Sequence, residues 1–125
     1  MFLTDDIPIV HNCPLEWDRA TIYFVHDIHY GSELFDANKW MALKKMITAD
    51  DRAIVMFIGD MMENAIPDSK SDTFTQTVTP QRQKEWVAEQ FNELKDKIAA
   101  VVPGNHENNR STKKCGLYPI YDACM

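Results

Sequence analysis

The 125 residues, 45% hydrophobic and 26% charged, suffice for one domain with a real core and have the composition of an ordinary globular protein, which excludes a wholly disordered chain. A formal net charge of -6 argues against a passive phosphate-gripping surface, which usually presents a basic face, and leaves phosphate chemistry open only where metal cations supply the positive charge. Cys13, Cys115 and Cys124 are odd in number, widely spaced and in no C-x-x-C pair, so neither a disulfide framework nor a zinc knuckle is indicated and a reducing compartment is expected.

The N-terminus, MFLTDDIPIV, lacks a basic region followed by a long apolar core, and no apolar run approaches the roughly 20 residues that span a bilayer. A cytoplasmic protein without a membrane partner is expected. The stretch PIVHN is a candidate edge strand, with His11 an ordinary surface residue. From Ala20 to Ile28 the chain is β-branched and aromatic and too short for a helix, which reads as a buried strand. Asp36 is the expected N-cap of a helix whose apolar face is Trp40, Leu43 and Ile47. Ala53 to Ile58, AIVMFI, reads as a second strand. Thr79 and Pro80 have the chemistry of N-cap and first helical position, and Val87, Phe91, Leu94 and Ile98 form a stripe behind them. Ile98 to Val102 reads as a third strand.

The order is therefore βαβαβ, two successive crossovers, and the fold class α/β with a parallel sheet. Unbroken apolar character predicts strands covered on both faces. Ala65 to Val78 reads as a long polar loop of the kind that is usually functional. The tail after Asn109 has the pattern to begin another helix, though the chain is expected to stop before that helix can pack. Met61 and Met62 read as core filler, Trp40 and Trp86 as helix-face packing, and the lysine pairs 44–45 and 113–114 as solvated.

Each predicted strand ends in a polar cluster: HDIHYG (His26 to Gly31), GDMMEN (Gly59 to Asn64) and GNHEN (Gly104 to Asn108). Ligands of open α/β sheets bind outside the carboxyl ends of the strands, so the three clusters should meet at one edge. A lone D-x-H or Gly-Asp is commonplace, whereas GNH followed by an acid recurs by chance in roughly one chain of this length per thousand at average residue frequencies. The inventory is Asp27, His29, Asp60, Asn105 and His106, with Glu63, Asn64 and Glu107 nearby. Mixed oxygen and imidazole donors suit a transition metal better than calcium. Two carboxylates and a histidine can hold one ion, and the added asparagine suggests a second. No glycine-rich phosphate loop follows the first strand, HYGSE having one glycine, which removes a generic doubly wound nucleotide binder.

D-x-H, then G-D, then G-N-H-[DE], each after a strand, resembles the calcineurin-like metallophosphoesterase family. The resemblance implies metal-dependent hydrolysis of phosphoesters at a dinuclear centre. Asp27 and His29 would bind the first ion, Asp60 would bridge both, and Asn105 would bind the second through its amide oxygen. Manganese is the first candidate, with iron and zinc next. A bridging carboxylate can hold two ions roughly 3.5 to 4 Å apart, close enough for both to polarise one phosphoryl group. By the same resemblance His106 would be general acid rather than ligand, Glu63 its orienting carboxylate in a position that family members usually give to Asp, and Asn64 a substrate contact.

Family members carry further histidine motifs downstream, ending in G-H-x-H, and this chain has no histidine after His106. The resemblance thus implies the N-terminal half of a two-sheet α/β sandwich, a single truncated domain over residues 1–125 with one apolar sheet face uncovered. The expected partners are a phosphoester substrate and either the missing C-terminal half or another copy of the chain. The competing reading is a non-catalytic module that binds metal or associates with a partner.

Overall fold

The computed structural model describes residues 10–66 and 74–125. Three strands, β1 (Thr21–Val25), β2 (Ala53–Ile58) and β3 (Ile98–Val102), form one parallel sheet in the order β1-β2-β3. Helix α1 (Ala37–Ala49) connects the first pair and α2 (Pro80–Leu94), followed by a short 3₁₀ turn, connects the second. The caps are those read from the sequence. Asp36 accepts from Lys39 N at 3.0 Å, and Thr79 accepts from Arg82 N with Pro80 behind it.

One face of the sheet holds the core. Val25, Ala53, Val55 and Phe57 pack against Trp40 and Ile47 of α1 and Val87, Phe91 and Leu94 of α2. A polar contact pins the two helices together: Gln90 Oε1 accepts from Trp40 Nε1 at 2.9 Å and from Lys44 Nζ at 3.0 Å. Lys44 also reaches Glu93 at 2.7 Å, so it is a helix-to-helix tie rather than the solvated residue expected. Met61 and Met62 are buried core, and Trp86 stacks on Tyr30 with centroids 4.0 Å apart, both as the sequence suggested.

The opposite face is bare, which corrects the expectation of strands covered twice. Ile22 is 51% and Phe24 60% exposed, and Ile58 and Val102 stand exposed beside them. The apolar run is uninterrupted because both faces carry large side chains, but α1 and α2 both pack on one face. An uncovered apolar face is what half of a two-sheet sandwich leaves.

Beyond β3 the backbone winds into a wide π-type turn over His106–Thr112, then a short turn α3 (Lys113–Cys115) and a helix α4 (Pro119–Cys124). The expectation that the tail could not pack is overturned. Ile120 and Ala123 enter the core cluster, and Lys84 of α2 meets Asp122 at 3.4 Å. Val10 to Asn12 form no strand, and the rest of the suggested edge strand, like residues 67–73 of the long loop, lies outside the described residues. Among the described residues no helix is long and apolar enough to cross a membrane.

Candidate metal centre

The segments that follow β1 and β2 do not diverge; they run side by side as irregular extensions of the sheet. Asp27 N donates to Gly59 O, His29 N to Asp60 O, Tyr30 N to Met61 O and Glu63 N to Tyr30 O, all at 2.9 to 3.2 Å. Keeping this ladder while turning side chains inward demands left-handed backbone at ordinary residues. Asp27 (φ 51°), His29 (φ 50°), Asp60 (φ 51°) and Asn64 (φ 46°) all adopt it. Non-glycine residues pay for that conformation with strain, and such outliers cluster at functional sites. The predicted first strand, carried to Ile28, ends at Val25 for this reason.

Glycine lets the third segment join the other two. A Cβ on Gly59 would run into the Gly104 backbone, and one on Gly104 into the backbone and carboxylate of Asp60. With both bare, the β2 and β3 segments lie in contact and lock across the gap. Asp60 Oδ1 accepts from His106 N at 2.9 Å. Glu107, only 1% exposed, accepts from Gly104 N at 2.8 Å, Met62 N at 3.0 Å and Asp60 N at 3.2 Å. The acid of GNHE therefore staples the second cluster to the third.

Around this brace lie the rings and carboxylates singled out from the sequence. His29, Asp60 and His106 each offer a ligand atom within 4.8 Å of the others. The His29 and His106 rings meet edge to face with centroids 4.4 Å apart. Glu63 Oε2 sits 3.2 Å from His29 Nδ1 and 3.8 Å from His106 Nδ1. The 3.2 Å approach is not well directed, so His29 Nδ1 is a buried nitrogen without a hydrogen bond. His106 Nδ1 instead pairs with the main-chain oxygen of Glu63 at 2.7 Å. Glu63 thus touches His106 as expected, but through its carbonyl. With Nδ1 so engaged, Nε2 is the ring's outer nitrogen, and Arg110 Nη2 lies 3.2 Å from it.

The donors fit a divalent cation. One end of the Asn105 amide lies 2.8 and 3.3 Å from the two carboxylate oxygens of Asp60. With nitrogen inward it donates to Asp60; with oxygen inward, three oxygens face one another, which only a cation stabilises. The unsatisfied His29 Nδ1 is a second sign that the pocket is built for more than its own side chains.

Asp27 is placed differently. Its side chain is 59% exposed, its Oδ2 bonds His26 Nδ1 at 2.5 Å, and its Oδ1 lies 3.4 Å from His29 Nε2. The His26 contact holds the Asp27 carboxyl below the ordinary carboxylate range against a small opposing effect of burial. Asp27 reaches the cluster by way of His29 and is not in the tight group with Asp60. Asn64 is 1% exposed, and its amide nitrogen donates to His106 O at 2.9 Å and Ser111 Oγ at 2.7 Å. It faces inward, committed to the protein.

Two residues in this neighbourhood carry weight that the sequence reading gave them no role for. Glu107 was noted only as nearby; its burial between two loops is a tertiary fact. Arg110 has no motif to mark it, yet its guanidinium meets the His106 ring, with Nη1 2.9 Å from Nδ1 and Nη2 3.2 Å from Nε2. Its signal was the four-residue spacing from His106, readable only once a helical turn is placed there.

No curated protein and no solved structure matches the chain significantly. The model of the calcineurin-like phosphoesterase family does match, over residues 20–124, a span that contains all three strands and every site residue described above. The chain belongs to the calcineurin-like phosphoesterase family.

Proposed function

We propose that the chain performs, or supplies the N-terminal half of, metal-dependent hydrolysis of phosphoesters. Asp27, His29, Asp60 and Asn105 hold two divalent ions, manganese first among Mn, Fe and Zn, with Asp60 shared between them. The carrying observation is the convergence of the Asp60 carboxylate, the Asn105 amide and the His29 and His106 rings at one sheet edge in a chain of this family. Bound there, the metal supplies Lewis-acid polarisation of the phosphoryl oxygens.

The chain's own groups do the rest. Glu63 O fixes His106 by Nδ1, so Nε2 is the atom that hands a proton to the leaving oxygen. The Glu63 carboxylate lies 3.2 Å from His29 Nδ1 and 3.8 Å from His106 Nδ1, beside both rings. Asn64 holds the main chain of His106; contact with a phosphate would require it to exchange one of its two internal bonds. Phosphomonoesters and phosphodiesters both fit this chemistry.

His106→Ala tests the assignment. It should lower kcat by about 10² to 10⁴ with metal content nearly unchanged, and less for p-nitrophenyl esters than for alkyl esters, since a leaving oxygen of low pKa needs little protonation. A second reading of His106 has its own support. The His29, Asp60, His106 group is compact, and an imidazole whose Nδ1 is tied to a main-chain carbonyl is held as metal ligands commonly are. Under that reading His106→Ala strips the metal. The bare sheet face favours one further alternative, a module that works only when another chain or copy covers it. Metal binding without hydrolysis of either ester class by the isolated chain would point there.

A further inference from the structure

We infer that Arg110 is the positioning residue of His106, holding its ring against rotation and fixing which nitrogen faces the reaction. This rests on the reading of His106 as a reacting group. The two nitrogens of an imidazole point apart in the plane of the ring, so a donor lying in that plane can reach only one of them. Arg110 Nη1 is 2.9 Å from Nδ1 while its Nη2 is 3.2 Å from Nε2. The two end nitrogens of one guanidinium therefore reach both ring nitrogens at once. A two-point contact of this kind suits arginine's fork, and lysine's single ammonium cannot reproduce it.

The guanidinium is itself fixed. Arg110 Nη1 donates to Glu63 O at 2.5 Å, the same oxygen that pairs with His106 Nδ1 at 2.7 Å, and its guanidinium lies 3.6 Å from Glu63 Oε1. The Arg110 and His106 side chains are each 12% exposed. One carbonyl thus anchors ring and guanidinium together, and the ring is restrained by Glu63 O at Nδ1, by Arg110 at both nitrogens and by the His29 ring beside it. A ring flip would have to break the carbonyl bond and displace the guanidinium. The family resemblance implied the orienting role for the Glu63 carboxylate; here that group lies 3.8 Å from Nδ1, outside the bond that Arg110 shares. The placement one helical turn after His106 puts both side chains on one side of the π-type segment, a wide turn of the sort often found at functional sites.

The test uses the whole chain and reads the ring before it reads turnover. Long-range proton–nitrogen correlation of the His106 side chain, in chelator-treated protein at mildly alkaline pH, should show a single tautomer protonated at Nδ1. Arg110→Lys and Arg110→Met should both average the two ring nitrogens, while Arg110→Lys keeps the parent's circular dichroism. A single tautomer persisting in both variants overturns the inference. In metal-loaded protein, Arg110→Lys should slow alkyl phosphoesters about tenfold more than p-nitrophenyl esters with bound metal unchanged, because only the former depend on the proton that the ring delivers. Equal slowing of the two also overturns it. If instead the parent lacks metal-dependent hydrolysis, or His106→Ala loses metal, the phosphoesterase assignment of His106 falls, and the ring measurement alone still decides Arg110.

Discussion

The site has two halves built on different terms. At the β2–β3 side, Asp60, Asn64, His106 and Glu107 are tied by hydrogen bonds between segments 40 and more residues apart, with Glu107 and Asn64 buried at the centre. At the β1 side, Asp27 stands in solvent, its carboxylate turned to a neighbouring histidine in sequence rather than to the cluster. The first half is held in geometry by the fold whether or not anything is bound. The second has its backbone set by the ladder to β2 but its side chain free to re-aim. On the proposed reading, Asp60 would be a rigid shared ligand and Asp27 an adaptable outer one.

The largest effect should come from breaking the brace. Glu107→Ala leaves the amides of Asp60, Met62 and Gly104 without their acceptor in the interior, each costing about 1 to 3 kcal/mol when unsatisfied, so a loss of roughly 3 kcal/mol or more is expected after relaxation. Glu107→Gln keeps the shape but turns an amide NH₂ toward one of the three donors and should fall between Ala and the parent. Asp27→Asn, by contrast, should shift stability within about 0.5 kcal/mol. Denaturant melts of the three variants decide the matter. Equal losses at Glu107 and Asp27 would erase the distinction between the halves.

Metal binding gives the next contrast. Asp60→Asn should remove far more bound Mn, Fe or Zn than Asn105→Ala, since a shared ligand weakens two positions and a terminal one weakens its own. Elemental analysis after dialysis measures it. Equal losses would argue for a single ion without a bridge.

What could be read from the sequence follows the same divide between local and tertiary causes. The strands, the Asp36 and Thr79 caps and the convergence of three polar clusters depend on periodicity, side-chain chemistry and strand order, all local or topological, and they were legible. The brace was not, because GNHE marks Glu107 as part of a motif without giving it a partner, and the residue becomes decisive only when Gly59 and Gly104 let two loops touch. Asn64 read as a group facing substrate because nothing in MMENA reveals that Ser111 and the His106 carbonyl lie beneath it. The left-handed turns at Asp27, His29, Asp60 and Asn64 were invisible for a related reason. Strained backbone at ordinary residues is imposed by the tertiary ladder against local preference. The bare sheet face was legible only through the resemblance, which implied half of a sandwich; composition reports apolar side chains on both faces of a strand, but not whether anything covers the second.

The smallest effect sharpens the adaptable half. If Asp27 is to serve a metal, its Oδ2 must leave His26, so the His26 contact competes with binding. That contact is exposed on both sides, and exposed ion pairs contribute about 0 to 1 kcal/mol. His26→Ala should therefore tighten metal binding, by no more than about fivefold, and leave the fold untouched. The direction is the informative part. On the β2–β3 side every hydrogen bond to a candidate ligand is a support, and removing one should weaken binding; at Asp27 the bond to His26 diverts the ligand, and removing it should strengthen binding. Titration calorimetry with manganese on the parent and on His26→Ala reads the sign directly. Weaker binding in the variant would make His26 part of the centre, and the β1 half would then be as organised for metal as its neighbour.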